Sequence, residues 1–194
     1  MTVNELTEDD YSDAVLEDLK VFGAALGKRD FEGCAFKRCD FSRAVLRGCC
    51  FVRCRFEACD LSNADAGGAS FQECVFEASK LVGVNFTRAS VRFPEFKECS
   101  LNYCNFKAMD LRKTHFVGCS IREAEFNDAR LSEAVFTDSD LSASQFFKAD
   151  LSQADFRAAR NYSLVPGQCK LFKARFSYPE VMALLSALDI VIGS

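Results

Sequence analysis

The chain has 194 residues, of which 49% are hydrophobic and 27% charged, and its formal net charge is −4. This composition excludes an intrinsically disordered chain and allows one sizeable folded domain. No apolar run in the sequence approaches the roughly 20 residues that cross a bilayer, and the start has no basic region followed by an apolar one. We therefore expect a cytoplasmic protein without a secretory signal and without membrane contact.

Residues 1–20 are the first segment in chain order, and they are strongly acidic. They contain seven Asp or Glu residues and one Lys, and they match the repeat that follows only poorly. We interpret them as an acidic N-terminal lead-in, with the first partial coil of the following repeat as the other interpretation.

Residues 21–160 carry a repeat of five residues without insertions. From Leu26 to Phe156, every fifth residue is Phe, Leu or Ile, except for Ala66 and Val91, which are also apolar. The residue two positions before each of these central residues is nearly always small. A period of five makes no stripe on an α-helix, and on a straight strand it alternates between faces. The chain must therefore turn once per repeat, with one short extended segment on each side of a coil.

The order of the central residues predicts four sides per coil. From Leu81 to Phe156 aromatic and aliphatic residues alternate, so three sides would stack Phe on aliphatic residues, whereas four sides give uniform ladders. We predict an all-β, four-sided β-solenoid of about 20 residues per coil, whose stacked coils pair their backbones as neighbouring strands do. One ladder of the core is predicted to contain Phe36, Phe56, Phe76, Phe96, Phe116, Phe136 and Phe156.

The eleven cysteines raise the question of a zinc site or a disulfide framework. Ten of them occupy the small position of the repeat, and only Cys50 does not. Residues in this position lie on separate sides of the coil, whereas zinc ligands must converge on one point. Cytoplasmic thiols also stay reduced. We interpret the cysteines as small packing residues in place of alanine, with Cys50 as the most accessible thiol and no metal or cofactor.

The sequence lacks the common catalytic motifs. His115 is the single histidine, so no histidine cluster can form, and no Gly-rich phosphate-binding loop is present. The basic residues between positions 37 and 55 fall on different sides of the coil, which favours a solvated surface over a nucleic-acid site. We expect neither an enzyme nor binding of a small-molecule substrate or nucleic acid.

Charge is distributed unevenly along the repeat. Residues 21–60 have a net charge of +3, residues 61–120 of +1 and residues 121–160 of −3. Four acidic residues share one position on four consecutive sides and should form a ring around one coil; they are Glu123, Asp128, Glu133 and Asp138. This acidic ring is either a partner-binding surface with electrostatic steering or an ordinary solvated exterior.

Two further sets of residues predict local features of the backbone. Asp140, Asp150 and Asp155 directly precede central residues, and we expect their carboxylates to accept hydrogen bonds from the turns. Pro94 occupies an inward-facing small position and lacks an N–H. We expect it to kink the coil.

Residues 161–194 depart from the repeat. The register fails at residues 161–168, and Ser177 to Glu180 predict a capping box before an amphipathic helix of about ten residues. Ile190 to Ile192 could add a short strand. The segment either caps the open end of the solenoid or also joins two copies. The predicted dimer contacts are Val181, Met182, Leu185, Leu188, Ile190 and Ile192.

The repeats AVLRG, CDLSN, MDLRK, SDLSA, ADLSQ and ADFRA resemble those of the pentapeptide-repeat family over about residues 24–160. That resemblance implies a right-handed quadrilateral β-helix. The tail ARFSYPEVMALLSALDIVIGS resembles the Qnr-like topoisomerase-protecting subgroup and is most similar to the albicidin-immunity type, with Asn161-Tyr162 before it.

The subgroup resemblance implies a function. Such proteins are homodimers joined through their C-terminal ends, and they bind DNA gyrase as mimics of duplex DNA. The expectation is a non-enzymatic immunity protein that protects gyrase or topoisomerase IV from poisons such as quinolones or albicidin-like antibiotics. The unbroken register departs from the members that carry projecting loops. The alternative is a generic interaction scaffold with an unrelated cytosolic partner, because one repeat fold serves many functions.

Overall fold

The structure, a computed structural model, describes residues 2–3, 6–186 and 188. These residues form a parallel β-solenoid with four walls, followed by a 3-10 turn at Glu180–Met182 and a helix, α1, at Ala183–Ser186. None of the described residues belongs to a helix that is long and apolar enough to cross a membrane. The predicted fold class is confirmed.

The extended segments gather into two parallel sheets on neighbouring walls. The larger sheet contains β1 (Thr2–Val3), β3 (Val15–Glu17), β5 (Ala35–Lys37), β7 (Arg55–Glu57), β9 (Val75–Glu77), β11 (Glu95–Lys97) and β12 (His115–Val117). The smaller sheet contains β2 (Asp10–Ser12), β4 (Asp30–Glu32), β6 (Cys50–Val52), β8 (Ser70–Gln72) and β10 (Ser90–Arg92).

Each wall is defined by the central residues that recur in it every 20 positions. The ranges of these residues are Leu16 to Phe176 for wall 1, Val21 to Leu141 for wall 2, Leu26 to Phe146 for wall 3 and Tyr11 to Leu171 for wall 4. Walls 1 and 4 hold the two sheets, in which Phe36 pairs with Phe56 and Phe31 with Phe51. Walls 2 and 3 pair mainly through single bridges, such as Asp40 with Asp60. Residues 20 positions apart are therefore paired between neighbouring coils, as the repeat predicted.

The corners depend on a left-handed backbone conformation two residues after most central residues. Arg43, for example, has a φ of 57° and Glu123 a φ of 54°. Many corners then close with a tight turn, as where the Ala44 N–H donates to the Phe41 carbonyl oxygen at 3.0 Å. Because L residues rarely occupy this region, its regular recurrence indicates that stacking between coils imposes it.

The core is a column of stacked rings. Along wall 1 the ring centroids of consecutive Phe residues from Phe36 to Phe156 lie between 4.7 and 5.2 Å apart, and Phe176 extends the stack at 5.3 Å. A second ladder runs along wall 4 as far as Phe71 and then continues on wall 3 from Phe86. These two rings meet edge to face at 6.3 Å, so the second ladder changes wall at this coil.

The small position of the repeat also hydrogen-bonds. The Cys54 thiol donates to the Phe31 carbonyl oxygen at 3.3 Å, and the Ser139 hydroxyl donates to the equivalent Phe116 oxygen at 2.9 Å. The interpretation of cysteine as a replacement for alanine is therefore incomplete, since the thiol takes the role of a serine hydroxyl. All eleven cysteines are free thiols, and burial raises the pKa of Cys74 to about 12.

The C-terminal segment differs in detail from its prediction. The N-cap residue of the helical turns is Pro179, so no side-chain hydrogen bond caps them. The Ser177 hydroxyl, which was predicted to cap the helix, instead accepts the Ala158 N–H at 3.0 Å. The predicted capping box is thus wrong, because the last coil uses the serine. The helical turns span only residues 180–186, and Leu188 lies in a turn. The predicted strand at Ile190 to Ile192 lies outside the described residues.

Candidate partner-binding surface

The four carboxylates of the acidic ring lie on the four walls of a single coil. Each is exposed and occupies the left-handed corner position, with φ values between 54° and 62°. The backbone of three of them is held by hydrogen bonds to the next coil: Glu123 N–H to Ser142 O at 2.8 Å, Asp128 N–H to Phe147 O at 2.8 Å and Glu133 N–H to Ser152 O at 2.9 Å. A rigid backbone therefore presents the ring to solvent.

Most of the ring is not neutralised within the described part of the chain. Glu133 lies 3.8 Å from the Lys113 ammonium group, but Glu123, Asp128 and Asp138 form no ion pair with any described residue. Interaction with the Glu123 carboxylate raises the pKa of Tyr103, which lies one coil below. The ring therefore offers three unpaired negative charges to a partner.

The basic residues of the first coils are arranged differently. Arg38 pairs with Glu17 and Asp18, each at 2.8 Å, and Arg55 pairs with Glu77 at 2.7 Å. Arg53 likewise contacts Glu32. These pairs cross from one coil to the next on the outside of the solenoid. Much of the N-terminal positive charge is thus offset by neighbouring acids, whereas three of the four ring carboxylates have no ion pair within the described chain.

The aspartates that precede central residues anchor turns, as the sequence predicted. Asp140, Asp150 and Asp155 accept the N–H two residues ahead at 3.2, 3.1 and 3.1 Å. The Arg157 guanidinium holds the pKa of Asp155 below its usual range. These carboxylates are part of the fold and not of the exposed acidic ring.

Asp140 is the centre of a network that the sequence did not reveal. It is only 2% exposed, and it accepts hydrogen bonds from the Asn161 amide at 3.0 Å and from Arg122 Nε at 3.0 Å. Burial opposes its ionisation, but the Ser142 hydroxyl, Asn161 and Arg122 together hold its pKa well below the usual range. Asp140 therefore ties the start of the C-terminal segment to the solenoid.

The C-terminal segment both closes the core and leaves apolar side chains in solvent. Tyr162 is 3% exposed and packs on Phe156 and Phe176 with centroids 5.6 and 5.7 Å away. At the same end Tyr178 is 80% exposed and Leu188 48% exposed.

The predicted dimer contacts divide into two groups. Val181 and Leu185 are half-buried, and Met182 is exposed like Leu188. Ile190 and Ile192 lie outside the described residues. The described contacts thus leave an apolar surface at the end of the molecule.

Comparisons with solved structures show what the fold is similar to. The chain matches a trypsin-treated QnrB1 variant, a plasmid-mediated fluoroquinolone resistance protein, at 20% identity and a TM-score of 0.63, covering 94% of this chain and 99% of that one. Full-length QnrB1 matches at 18% identity, a TM-score of 0.57 and coverages of 97% and 95%. HetL, a protein involved in heterocyst differentiation regulation from Nostoc sp. strain PCC 7120, matches at 15% identity, a TM-score of 0.56 and 87% of each chain.

Sequence comparisons identify the family. No curated protein sequence matches the chain. A family model described as a pentapeptide repeat region matches residues 49–126, and a second, described as pentapeptide repeats, matches residues 22–57 and 124–160. Together they cover the solenoid almost from end to end. With its four-walled coil and five-residue register, the chain belongs to the pentapeptide-repeat family.

Proposed function

We propose that this chain is a DNA-mimicking protein that binds DNA gyrase or topoisomerase IV in the cytoplasm and protects it from topoisomerase poisons. The observation that carries the proposal is the acidic ring, with three exposed carboxylates that have no basic partner among the described residues. A rigid rod with a belt of negative charge can occupy a groove that binds DNA phosphates, and its charge speeds association with a basic surface.

The structural likeness to QnrB1 supports this proposal, because that protein is a fluoroquinolone resistance protein with the same fold. The resemblance of the tail to the albicidin-immunity type adds albicidin-like antibiotics to the poisons that should be tested. No catalytic step is required, since protection by a mimic is a matter of competitive binding.

We also propose that the active form is a homodimer joined at its C-terminal ends. The exposed Tyr178, Met182 and Leu188 support this, because apolar side chains grouped at one end of a rod are suited to a twofold contact. Such a dimer would place two acidic rings on either side of its centre and double the negative belt.

The test of the topoisomerase proposal is a supercoiling assay with purified gyrase and a quinolone or albicidin. The variant Glu123→Gln/Asp128→Asn/Glu133→Gln/Asp138→Asn is expected to weaken gyrase binding about tenfold or more and to lose protection. The matched control replaces four exposed acids of the first coil, Glu8→Gln/Asp9→Asn/Asp10→Asn/Asp13→Asn, with the same change in net charge. Equal losses in both variants, or no gyrase binding by the wild type, would contradict the proposal.

The dimer is tested separately by light scattering coupled to size exclusion. The wild type is expected to elute as a dimer and Met182→Glu/Leu188→Glu as a monomer. Phe22→Glu is the control, because Phe22 is 60% exposed at the other end of the solenoid. A monomeric wild type would overturn the dimer and would favour the alternative, an interaction scaffold. HetL supports that alternative, because its described role in differentiation regulation differs from that of QnrB1 on a similar fold.

A further inference from the structure

On wall 4 the solenoid is open between the coil of residues 88–94 and the coil above it. On wall 4 the lower coil still bonds downward, with Ser90 N–H to Ala69 O at 2.9 Å and Glu73 N–H to Arg92 O at 2.8 Å. The upper coil still bonds upward, with Leu111 N–H to Arg130 O at 2.8 Å. Between them β10 is the last strand of its sheet, so the sheet ends at this level.

The missing bonds follow the pattern of the other coils. At most other levels the central residue and the corner residue each donate an N–H to the next coil, as Phe41 and Arg43 do at 2.7 and 2.9 Å. At the opening the equivalent donors, Val91 and Phe93, make no hydrogen bond with any described residue. The Asp110 N–H and the carbonyl oxygens of Ala89, Asp110 and Arg112 are likewise without a partner in the described chain.

We attribute the opening to Pro94, and a polar side chain beside it also lacks a hydrogen-bond partner. On wall 2 the Ser139 hydroxyl accepts a hydrogen bond at 3.0 Å from the N–H of Cys119, which occupies the same repeat position one coil below. Thr114 and Pro94 are the equivalent pair at the opening, but Pro94 has no N–H to donate. The Thr114 hydroxyl is buried, with the residue 1% exposed, and it has no hydrogen-bond partner in the described chain. A buried hydroxyl without a partner costs free energy, so this site is incomplete as it stands.

The opening forms a cavity of about 410 Å³, which lies within the range of ligand-binding clefts. Val91, Arg92, Phe93, Asp110, Arg112, Lys113 and Glu133 line it. Two of its cations are already paired: Arg112 with Asp110 at 2.7 Å, and Lys113 with Glu133 at 3.8 Å. Arg92 has no ion pair with a described residue and lies 5.9 Å from the Phe93 ring, which is 59% exposed. The cleft thus offers one free positive charge and one apolar ring.

We propose that this cleft, defined by the residues that line it, binds an extended segment of a partner polypeptide that carries an acidic side chain. Both rims present N–H and C=O groups, as the edges of strands do, and a peptide backbone can satisfy both kinds of group. A free anion would satisfy only the donors. Arg92 pairs with the acidic side chain of the segment, and Phe93 contacts an apolar side chain one position away.

This inference is independent of the topoisomerase proposal, because it uses neither the acidic ring nor the C-terminal end. The probe is a synthetic peptide of alternating Thr and Val with one central Asp, titrated into the isotope-labelled full chain. The amide resonances of Val91, Phe93 and Asp110 are expected to shift. The same peptide with Lys in place of Asp and inorganic phosphate alone are expected to shift them much less.

Two variants with a matched control sharpen the test. Arg92→Glu should weaken binding of the Asp peptide roughly tenfold, because a hydrogen bond to a charged group is lost. Arg43→Glu should have no effect, although Arg43 also lies over an exposed ring, Phe22, at 5.8 Å. Pro94→Ala restores an N–H that can donate to Thr114, and we expect it to close the cleft and reduce binding at least tenfold without loss of thermal stability.

Several results would overturn the proposal. One is the absence of shifts at these amides with any peptide, and another is equal binding of the Asp and Lys peptides. Shifts of the same size with phosphate alone would indicate an anion site instead. Equal effects of Arg92→Glu and Arg43→Glu would place the binding elsewhere.

Discussion

The N-terminal coils (residues 30–77) and the C-terminal coils (residues 95–156) fill the same four-walled core in different ways. In the N-terminal coils the two Phe ladders lie on neighbouring walls, and rings such as Phe31 and Phe36 meet edge to face at 5.1 Å. In the C-terminal coils they lie on opposite walls, and the closest edge-to-face pair, Phe116 and Phe126, is 5.9 Å apart. The core therefore accepts the two Phe ladders either on neighbouring walls or on opposite walls.

The change between the two arrangements weakens the wall. It occurs between Phe71 and Phe86, and the central residues that flank this interval, Ala66 and Val91, are small. The coil that follows carries Pro94 and separates from its upper neighbour on wall 4. A junction between two regular packings is thus the place where backbone groups lose their partners, and it is where we locate the cleft.

The largest expected effect is the loss of a stacked ring from wall 1. Phe56→Ala should lower the free energy of unfolding by about 3–5 kcal/mol, because a large cavity forms between stacked neighbours 4.7 Å on either side. Phe116→Ala should cost less within this range, since its neighbours are 5.2 and 5.0 Å away. Urea unfolding measures both, with the exposed Phe22→Ala as control. A larger loss at Phe116 would refute the tighter packing of the N-terminal coils.

The next effect concerns acid stability, which we assign to the C-terminal coils. The pKa of Asp140 in the folded protein lies below its unfolded value of about 3.9. Its contribution is therefore complete above that value and is lost as the pH falls through the folded pKa. Asp140→Asn should lower the free energy of unfolding by about 2 kcal/mol at pH 7. Between pH 7 and pH 3 the free energy of unfolding of this variant should fall less than that of the wild type.

Asp138→Asn is the control for this experiment, because Asp138 is exposed and has no ion pair in the described chain. It should change the free energy of unfolding by less than about 0.5 kcal/mol. Urea unfolding at pH 7, 4 and 3 measures both variants. Identical pH dependence in the wild type and Asp140→Asn would contradict the assignment.

A smaller effect concerns the small position of the repeat, where a cysteine thiol such as that of Cys59 and a serine hydroxyl such as that of Ser139 make equivalent hydrogen bonds. Ser139→Ala should cost about 1–2 kcal/mol, because the buried Cys119 N–H loses its acceptor at 3.0 Å. Ser139→Cys should cost less than about 1 kcal/mol, since Cys59 makes the equivalent bond to the Phe36 oxygen at 3.4 Å. If the two variants were equally destabilised, the thiol would act only as a filler.

The smallest effect is on chemical reactivity and leaves the fold intact. Cys50 and Cys169 are half-buried, whereas the other nine cysteines are buried. A thiol reagent should modify Cys50 first and Cys169 more slowly, because burial raises the pKa of Cys169. Peptide mapping by mass spectrometry after brief labelling gives the order. Early labelling of Cys34 or Cys54 would show that the N-terminal coils open more easily than their packing implies.

Much of the fold could be predicted because the repeat reports directly on the geometry. The five-residue period required a corner, and the alternation of Phe with aliphatic residues required four walls. The acidic ring could be assigned to one coil for the same reason. The capping box at Ser177 could not be judged from the local sequence, because the competing donor, the Ala158 N–H, comes from the previous coil.

What the sequence determined by itself was the periodic part of the protein: the solenoid, its 20-residue coil, the position of the cysteines and the belt of carboxylates. These follow from side-chain size and spacing, which are local properties repeated many times. Only the tertiary structure decided where neighbouring coils bond and where they separate. The Asp140 network with Asn161 and the opening beside Pro94 depend on backbone partners about 20 residues away, and no spacing rule shows which of those hydrogen bonds fail to form.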